Sequence, residues 1–270
     1  MAQTDSNGRA AAFFDLDRTL MAGSSAMAWV RASYEAGIIS RTQMARWARD
    51  GLIFRLRGST DETTKQAMDQ IKEVLAGAPA RELERLGPRV LAQVLPRIYP
   101  QMLDEVYSHR DEGRPTFIVS AAGNDLVELV ARVLGMQGGV GTRYEVGADG
   151  NFTGEIDGPF MYGEGKLEGM RRFASDHDVD LGESWAYSDS ASDLPMLRAV
   201  GTPVVVNPDT ELASVASNEG WPIMRFERLG RRLAVAAATL TAAAVGGGAA
   251  TYARRRSGGG VATGRPRIRR

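Results

Sequence analysis

Three observations predict an α/β fold with a mostly parallel, helix-covered sheet. An apolar run at residues 11–14 ends abruptly in Asp15 and Asp17, which is how a buried strand carries charge to the carboxyl edge of a sheet. After residue 100, short β-branched or aromatic runs alternate with helical stretches. Between residues 22 and 99 the pattern is helical throughout. We therefore expect an all-helical insert after the first strand.

The chain begins with a polar stretch, residues 1–10, which we expect to be a disordered lead. The apolar run and its two acids follow as the first strand and its loop. Ser24 and Ser25 then offer N-caps for a helix over residues 26–36. Gly37 ends this helix, because glycine readily adopts the left-handed conformation of a helix C-terminus.

Residues 22–99 form the predicted helical insert. Three more helices are expected in it, separated by short breaks rich in glycine or proline, over residues 41–57, 61–76 and 80–95. An all-helical insert after the first strand of an α/β domain is typical of a small cap over the active edge of the sheet. The alternative is a plain helical subdomain that makes no contact with the site.

The α/β alternation resumes at residue 100, so residues 11–21 and 100–226 together form the predicted core. Further strands are expected at 116–120, 185–188, 203–206 and 223–226. Two extended pieces flank the turn sequence at residues 148–151 and predict a hairpin of residues 142–146 and 152–156. Helices are expected between these strands, at 101–112, 124–134, 164–177, 194–200 and 209–218.

The C-terminal segment differs in composition from the rest of the chain. Residues 225–270 carry eleven arginines and one acid, whereas the first 224 residues carry 22 basic and 32 acidic residues. Residues 233–252 lack charge and are flanked by arginines, which makes them a candidate transmembrane helix. The alternative is a flexible tail, rich in alanine and glycine, that contacts anionic surfaces loosely. Residues 253–270 are expected to be a basic disordered tail.

Composition excludes several kinds of chemistry. The chain has no cysteine, which excludes disulfides, thiolate metal sites and cysteine nucleophiles. It has only two histidines, which excludes a histidine-rich metal cluster. The N-terminus has no apolar stretch of the kind that marks a secretory signal. We therefore expect a cytoplasmic catalytic domain, anchored at the inner face of the cell membrane if residues 233–252 span it.

Polar residues stand at four β-to-α junctions: Asp15 with Asp17, Ser120, Lys166, and Asp189 with Asp193. Parallel strands end at one edge of a sheet, so the acids and Ser120 are expected to converge there. Lys166 does not end a strand but opens the helix after residues 163–165, and we expect this helix to bring it to the same edge. Crowded carboxylates need a cation, and oxygen ligands alone select a hard one, Mg²⁺ by preference. A lysine and a hydroxyl beside such a site complete a set that binds a phosphoryl group.

The two acids after the first strand suit two different roles. Asp15 is the candidate nucleophile, which would form an aspartyl-phosphate. Asp17 is the candidate acid and base, which would protonate the leaving alkoxide and then activate water. Ser120 and Lys166 are expected to bind the transferring phosphoryl group.

These motifs resemble those of the haloacid dehalogenase-like hydrolases, subfamily IB, in the phosphoserine phosphatase-like branch. The run from Phe13 to Leu20 is similar to motif I, Ile118 to Ser120 to motif II, Lys166 to motif III and Ser188 to Asp193 to motif IV. The resemblance covers residues 11–226 and implies a Rossmann-like core, a C1-type cap formed by the insert, and Mg²⁺. It implies that Asp15, the backbone carbonyl of Asp17 and Asp189 bind the metal. Asp193 would support the site or orient Lys166.

The substrate is less clearly indicated than the chemistry. Phosphoserine phosphatases carry a glutamate shortly after motif I that recognises the substrate amine, whereas here no acid occurs between Asp17 and Glu35. This departure argues against phosphoserine. Arg55 and Arg57 in the insert are candidate contacts for an anionic substrate group, and the alternative is that both lie on an exposed helical face.

The sequence therefore predicts a Mg²⁺-dependent phosphomonoester hydrolase that acts on a small phosphorylated metabolite, with no specific nucleic-acid partner. One alternative is a phosphatase of lipid or lipid-precursor phosphates at the membrane, which only the tail suggests. Another is a membrane-tethered scaffold that has lost turnover, and the intact motif set argues against it. A third is a phosphotransferase that passes the phosphoryl group to an acceptor other than water.

Overall fold

A computed structural model of the protein describes residues 8–45, 47, 49, 69, 72 and 75–226. The chain divides into one unit of Met1–Met224 and a second of Arg225–Arg270, of which only residues 225 and 226 are described. Within the described residues no helix is long and apolar enough to cross a membrane. The candidate span at 233–252 and the basic tail at 253–270 lie outside the described residues.

Six parallel strands form the central sheet in the order β3-β2-β1-β6-β7-β8, and two antiparallel strands form a separate hairpin, β4-β5. Their bounds are β1 Ala12–Phe14, β2 Thr116–Gly123, β3 Gly138–Thr142, β4 Tyr144–Val146, β5 Phe152–Ile156, β6 Trp185–Ser188, β7 Thr202–Val206 and β8 Ile223–Met224. β1 lies between β2 and β6 in the middle of the sheet, and all three of its residues are fully buried. This arrangement confirms the predicted α/β fold.

Seven α-helices have defined bounds in the described residues: α1 Ser25–Glu35, α2 Ala80–Val94, α3 Pro100–Asp111, α4 Asn124–Val133, α5 Glu164–Asp176, α6 Leu194–Arg198 and α7 Thr210–Glu219. Residues 41–45 are also helical, while most of the helices predicted over 41–57 and 61–76 lie outside the described residues. Local signals set several ends. Asp209 caps α7 through its carboxylate, and Gly220 ends that helix in the left-handed conformation with φ of 73°.

Strand β3 was not predicted, because glycine is normally depleted in strands. Its glycines are required by close packing. A Cβ on Gly139 would lie 2.4 Å from Val127 Cγ1, and one on Gly141 would lie 2.6 Å from the Asn124 Cα, both in α4. The absence of side chains at these positions therefore lets α4 approach the sheet closely.

Several boundaries also differ from the prediction. The first strand of the hairpin begins at Tyr144 rather than at residue 142, because Thr142 belongs to β3. Residues 8–10 were assigned to a disordered lead, but Arg9 pairs with the chain before β6, its amide donating to the Asp178 carbonyl at 3.0 Å. Strand β2 does not end at Ser120. It continues to Gly123, because Gly123 pairs with Thr142 of β3 beyond an irregularity in the register.

The insert leaves and rejoins the core through two adjacent segments. The Ala22 amide donates to the Arg97 carbonyl at 2.8 Å, and the Tyr99 amide donates to the Leu20 carbonyl at 2.9 Å. Among the described residues of 22–99, extended pairing is limited to isolated bridges. Near its end the insert also contacts the β4-β5 hairpin, where the Gly77 amide donates to the Phe152 carbonyl at 2.8 Å.

Candidate active site

The candidate site lies where β1 and β6 end side by side. The strand order reverses between these two neighbours, and open parallel sheets bind ligands outside the carboxyl ends of strands at such a point. Asp15 follows β1 and Asp189 follows β6. The Asp15 amide donates to the Tyr187 carbonyl at 3.0 Å, so the backbone of the Asp15 loop is held by the neighbouring strand.

Lys166 is the cation at the centre of the site. Its Nζ lies 2.7 Å from Asp15 Oδ1 and 2.7 Å from Asp193 Oδ2. The residue is 3% exposed, although it stands in the first turn of α5. Gly165 permits this approach, because a Cβ there would lie 2.1 Å from the Phe160 carbonyl oxygen. The tight turn before α5 therefore delivers the lysine to the sheet edge.

Asp193 is held from two sides. Lys166 donates to its Oδ2, and the Ser188 hydroxyl donates to the same oxygen at 2.7 Å. Asp193 is buried and has no direct contact with Asp15 among the hydrogen bonds of the described residues. The Asp193 carboxylate therefore accepts hydrogen bonds from both a lysine and a hydroxyl.

Asp17 points toward the insert. Its Oδ1 accepts the backbone amide of Ser25 at 2.8 Å, and its Oδ2 accepts the Ser24 hydroxyl at 3.1 Å. The two serines were predicted as helix caps, but neither side chain caps α1. Instead the Asp17 carboxylate accepts an amide from the first turn of α1, where the helix dipole favours negative charge. The first residues of the insert thus contact the site directly.

Asp189 is engaged by both residues that follow Asp17. Arg18 Nε donates to Asp189 Oδ2 at 2.6 Å, and a second guanidinium nitrogen of Arg18 contacts the same oxygen. The Thr19 hydroxyl lies 3.3 Å from Asp189 Oδ1. Arg18 adopts φ of 63°, a left-handed conformation that is uncommon outside glycine.

Burial and crowding raise the pKa values of three acids of the site, Asp15, Asp17 and Asp189. Burial, partly offset by the Lys166 charge, raises the pKa of Asp15 to about 6. Burial and then the negative charge of Asp15 raise the pKa of Asp189 to about 8. Burial also raises the pKa of Asp17, against the hydrogen bonds from Ser25 and Ser24. These shifts arise because buried carboxylates repel one another and lose hydration.

Lys166 remains a cation in this environment. Burial disfavours its charge, but the Asp15 and Asp193 carboxylates outweigh that effect and raise its pKa. Among the residues that the structure describes at the site, four are acids, Asp15, Asp17, Asp189 and Asp193, and two are basic, Lys166 and Arg18. The excess of negative charge would be relieved by a bound cation.

The chemistry of the donor set fits a hard cation such as Mg²⁺. Asp15 and Asp189 lie close enough for one charge to raise the pKa of the other, and both offer carboxylate oxygens. In the described part of the chain, no three acidic or histidine side chains converge as a ligand group. The Asp17 carboxylate is turned toward Ser24 and Ser25.

Ser120 lies in β2, next to β1, and is 2% exposed. Its hydroxyl accepts the Ala122 amide at 3.2 Å. This hydrogen bond holds the chain that follows Ser120. The two candidate substrate contacts, Arg55 and Arg57, lie outside the described residues.

Several residues of the site were not predicted to take part in it. Arg18 and Thr19 lie within motif I, and Ser188 lies within motif IV, but the sequence assigned no role to any of them. Asp209 was also missed; its Oδ2 accepts the Ala191 amide at 3.1 Å, and its own amide donates to the Asp189 carbonyl at 3.0 Å. The available signal for Asp209 was its position after β7, since polar residues after a parallel strand reach the same edge.

A buried polar network supports the strand behind Asp15. His109 Nε2 lies 2.9 Å from the Tyr187 hydroxyl, which donates to Glu105 Oε2 at 3.1 Å. Arg114 Nε donates to His109 Nδ1 at 2.8 Å, so His109 carries its proton on Nε2. The network therefore fixes Tyr187, whose carbonyl holds the Asp15 amide.

Comparison with known proteins gives consistent matches. A model of the haloacid dehalogenase-like hydrolase family matches residues 12–198. A probable phosphatase of Mycobacterium tuberculosis is 36% identical over 226 residues, which cover 83% of this chain and 78% of the relative. The phosphoserine phosphatase SerB1 of the same species is 34% identical over 229 residues, covering 83% and 73%. A histidinol-phosphatase of Neisseria meningitidis is 30% identical over 220 residues, covering 80% and 98%.

A solved structure gives the same result for the fold. The crystal structure of a protein of unknown function from Bordetella pertussis Tohama I superimposes with a TM-score of 0.71 at 29% identity. The match covers 81% of this chain and 99% of that protein. The fold is therefore shared over the described core.

Proposed function

The chain belongs to the haloacid dehalogenase-like hydrolases and is a phosphoric monoester hydrolase similar to phosphoserine phosphatases, and on that premise we propose that it hydrolyses a small phosphorylated metabolite through a phosphorylated Asp15. The observation that carries the proposal is the position of Lys166, whose Nζ lies 2.7 Å from both Asp15 and Asp193 in a buried cluster. A buried lysine that touches a candidate nucleophile can bind the transferring phosphoryl group and keep the nucleophile in place.

In the first step a carboxylate oxygen of Asp15 attacks phosphorus, and the bond from phosphorus to the ester oxygen breaks. The pKa of about 6 leaves Asp15 mostly ionised at neutral pH. Asp17 gives its proton to the leaving alkoxide, and its raised pKa suits this role. Lys166 and the Ser120 hydroxyl bind the equatorial oxygens of the phosphoryl group.

In the second step water attacks the phosphorus of the aspartyl-phosphate. Asp17, now ionised, accepts a proton from that water, and the acyl-phosphate bond breaks to release phosphate and free Asp15. The hydrogen bonds from Ser24 and Ser25 hold Asp17 between the sheet edge and the insert in both steps.

We propose Mg²⁺ as the cofactor. It would be held by Asp15, Asp189 and the backbone carbonyl of Asp17, with Asp193 in support, and it would neutralise charge on the phosphoryl group. The supporting observation is the surplus of buried carboxylates, reflected in the raised pKa values of Asp15 and Asp189.

We also propose that residues 22–99 act as a cap rather than as a remote subdomain. Two residues of the insert, Ser24 and Ser25, hydrogen-bond to Asp17. The insert rejoins the core beside its point of exit, where Ala22 pairs with Arg97. These contacts support a helical layer over the site.

The choice of substrate depends on whether the site recognises an amine. Relatives of similar identity are named for phosphoserine and for histidinol phosphate, and both substrates carry an amine. The nearest acid along α1 is Glu35, which pairs with Arg31 at 2.9 Å. Ser25 and Glu35 mark opposite ends of this helix, roughly 15 Å apart at 1.5 Å per residue. We propose that α1 supplies no carboxylate to a substrate ammonium, so a phosphoester without an amine is accepted.

The experiment measures phosphate release from an aryl phosphate, phosphoserine, histidinol phosphate and glycerol phosphate, with and without Mg²⁺. Wild type is compared with Asp15→Asn and with the control Asp176→Asn, an exposed acid at the end of α5. We expect Mg²⁺-dependent release that only Asp15→Asn abolishes, and glycerol phosphate to be cleaved. Release that persists in Asp15→Asn would refute the mechanism. Transfer of phosphate to added alcohols in preference to water would favour the phosphotransferase.

A further inference from the structure

The two basic side chains of the site differ in accessibility. The Lys166 side chain is 4% exposed and is held between two buried carboxylates. The Arg18 side chain is 39% exposed and contacts one of the buried acids, Asp189. A long side chain with that exposure has room to reorient, whereas Lys166 is enclosed.

Arg18 makes a charge-assisted contact with Asp189. Two nitrogens of its guanidinium contact Asp189 Oδ2, one of them Nε at 2.6 Å, while the Thr19 hydroxyl takes Oδ1. Hydrogen bonds between charged groups are roughly twice as strong as neutral ones. Both carboxylate oxygens of Asp189, a proposed metal ligand, are therefore in contact with side chains of the loop after β1.

We propose that Arg18 is a competing counter-ion: its guanidinium and Mg²⁺ compete for the Asp189 carboxylate, so that Arg18 sets the metal affinity of the site. This inference rests on the proposed function, because it requires Asp189 to be a metal ligand. When Mg²⁺ binds, Arg18 releases Asp189 Oδ2 and moves toward solvent, while Lys166 stays with Asp15 and Asp193.

A second carboxylate, that of Asp209, also acts on the charge of Arg18. Besides Asp189, the charge of Asp209 also favours the protonated guanidinium of Arg18. Asp209 belongs to the loop after β7 and supports the Asp189 loop through the Ala191 amide. Arg18 can therefore leave Asp189 without losing all of its electrostatic stabilisation.

The test compares wild type with Arg18→Gln. This substitution removes the positive charge and most of the guanidinium's hydrogen-bond donors, but it retains a non-glycine residue at positive φ. Arg18→Gly is avoided, because it would also relieve the left-handed backbone. Arg18→Lys keeps the charge with a single donor group. Arg198→Gln is the matched control, since Arg198 forms an exposed ion pair with Glu219 outside the site.

Mg²⁺ binding is measured by isothermal titration calorimetry of metal-stripped full-length chains, in one buffer and at one pH for every variant. We expect the Kd for Mg²⁺ to fall by about tenfold in Arg18→Gln, by less in Arg18→Lys and not at all in Arg198→Gln. If wild type binds Mg²⁺ and the Kd of Arg18→Gln is unchanged or higher, the proposed role of Arg18 is overturned and the proposed function stays intact.

Thermal unfolding gives an independent readout. Without metal, Arg18→Gln is expected to melt below wild type, because Asp189 loses its partner. With saturating Mg²⁺ the two melting temperatures are expected to converge, because Mg²⁺ then neutralises Asp189 in both proteins. A deficit that persists at saturating Mg²⁺ would assign Arg18 a purely structural role. Absence of Mg²⁺ binding in every variant would overturn both this inference and the proposed cofactor.

Discussion

Acidification should destabilise the protein through His109, which the Tyr187 network buries in its neutral form. Burial, and then the positive charge of Arg114, lower the pKa of His109 from 6.5 to about 4. The residue is 3% exposed, so solvent provides little screening. A difference of this size corresponds to about 3 kcal/mol, because one pKa unit is worth about 1.4 kcal/mol.

The sign follows from proton uptake. The unfolded chain protonates His109 near its ordinary pKa of 6.5, and the folded chain does so only near 4. Between these values the unfolded state binds more protons, so stability is complete above about pH 7 and is lost as the pH falls toward about 4. Asp15 acts in the opposite direction, since its pKa is raised to about 6 in the folded state.

The assay must therefore separate the two groups. Urea unfolding of wild type and His109→Gln, followed by circular dichroism at a series of pH values, gives the difference in unfolding free energy at each pH. Asp15 contributes equally to both proteins and cancels. We expect this difference to shift by about 2–3 kcal/mol against wild type between about pH 7.5 and about pH 4.5. A difference that stays constant with pH, or that shifts in favour of wild type, would refute a neutral, buried His109.

Three further predictions concern the site, the sheet and the tail. Lys166→Met should reduce kcat by roughly 100-fold or more and lower the free energy of unfolding by about 3 kcal/mol, because two buried acids lose their partner. The control Lys72→Met removes a partly exposed ion pair with Glu155 and should change neither kcat nor stability by a comparable amount. Gly139→Ala should cost more than about 2 kcal/mol in urea unfolding, because its Cβ would overlap Val127, whereas Gly138→Ala in the same strand should cost less than half as much. If residues 233–252 bind membranes, the full chain should fractionate with them and a version ending at residue 228 should not; two soluble proteins would refute that expectation.

Much of the fold could be predicted because its signals are local. The apolar strand before Asp15, the hairpin around residues 148–151 and the helices that follow each core strand all rest on short-range periodicity and on turn residues. Strand β3 could not be predicted from such local signals. Its glycines have poor strand propensity, and they are explained only by the approach of α4 to within contact of Gly139 and Gly141.

The site shows the same division. The residue types and their positions after strands were sufficient to select Asp15, Asp17, Ser120, Lys166, Asp189 and Asp193 as candidates. The partners of these residues were not predictable. Arg18 on Asp189, Ser24 on Asp17 and Ser188 on Asp193 are hydrogen bonds that depend on side-chain direction, and the sequence pattern carries no information about direction.

By itself, the sequence determined the order of the core strands other than β3, the helices that follow them and the chemical character of the residues between them, because these depend on neighbours a few positions apart. Only the tertiary structure decided which strands are adjacent. Placing β1 beside β6, and turning α5 back to the same edge, brings Lys166 within 2.7 Å of Asp15 across 151 residues of chain. That contact arises from the packing of the whole sheet, and the geometry of the candidate active site depends on it.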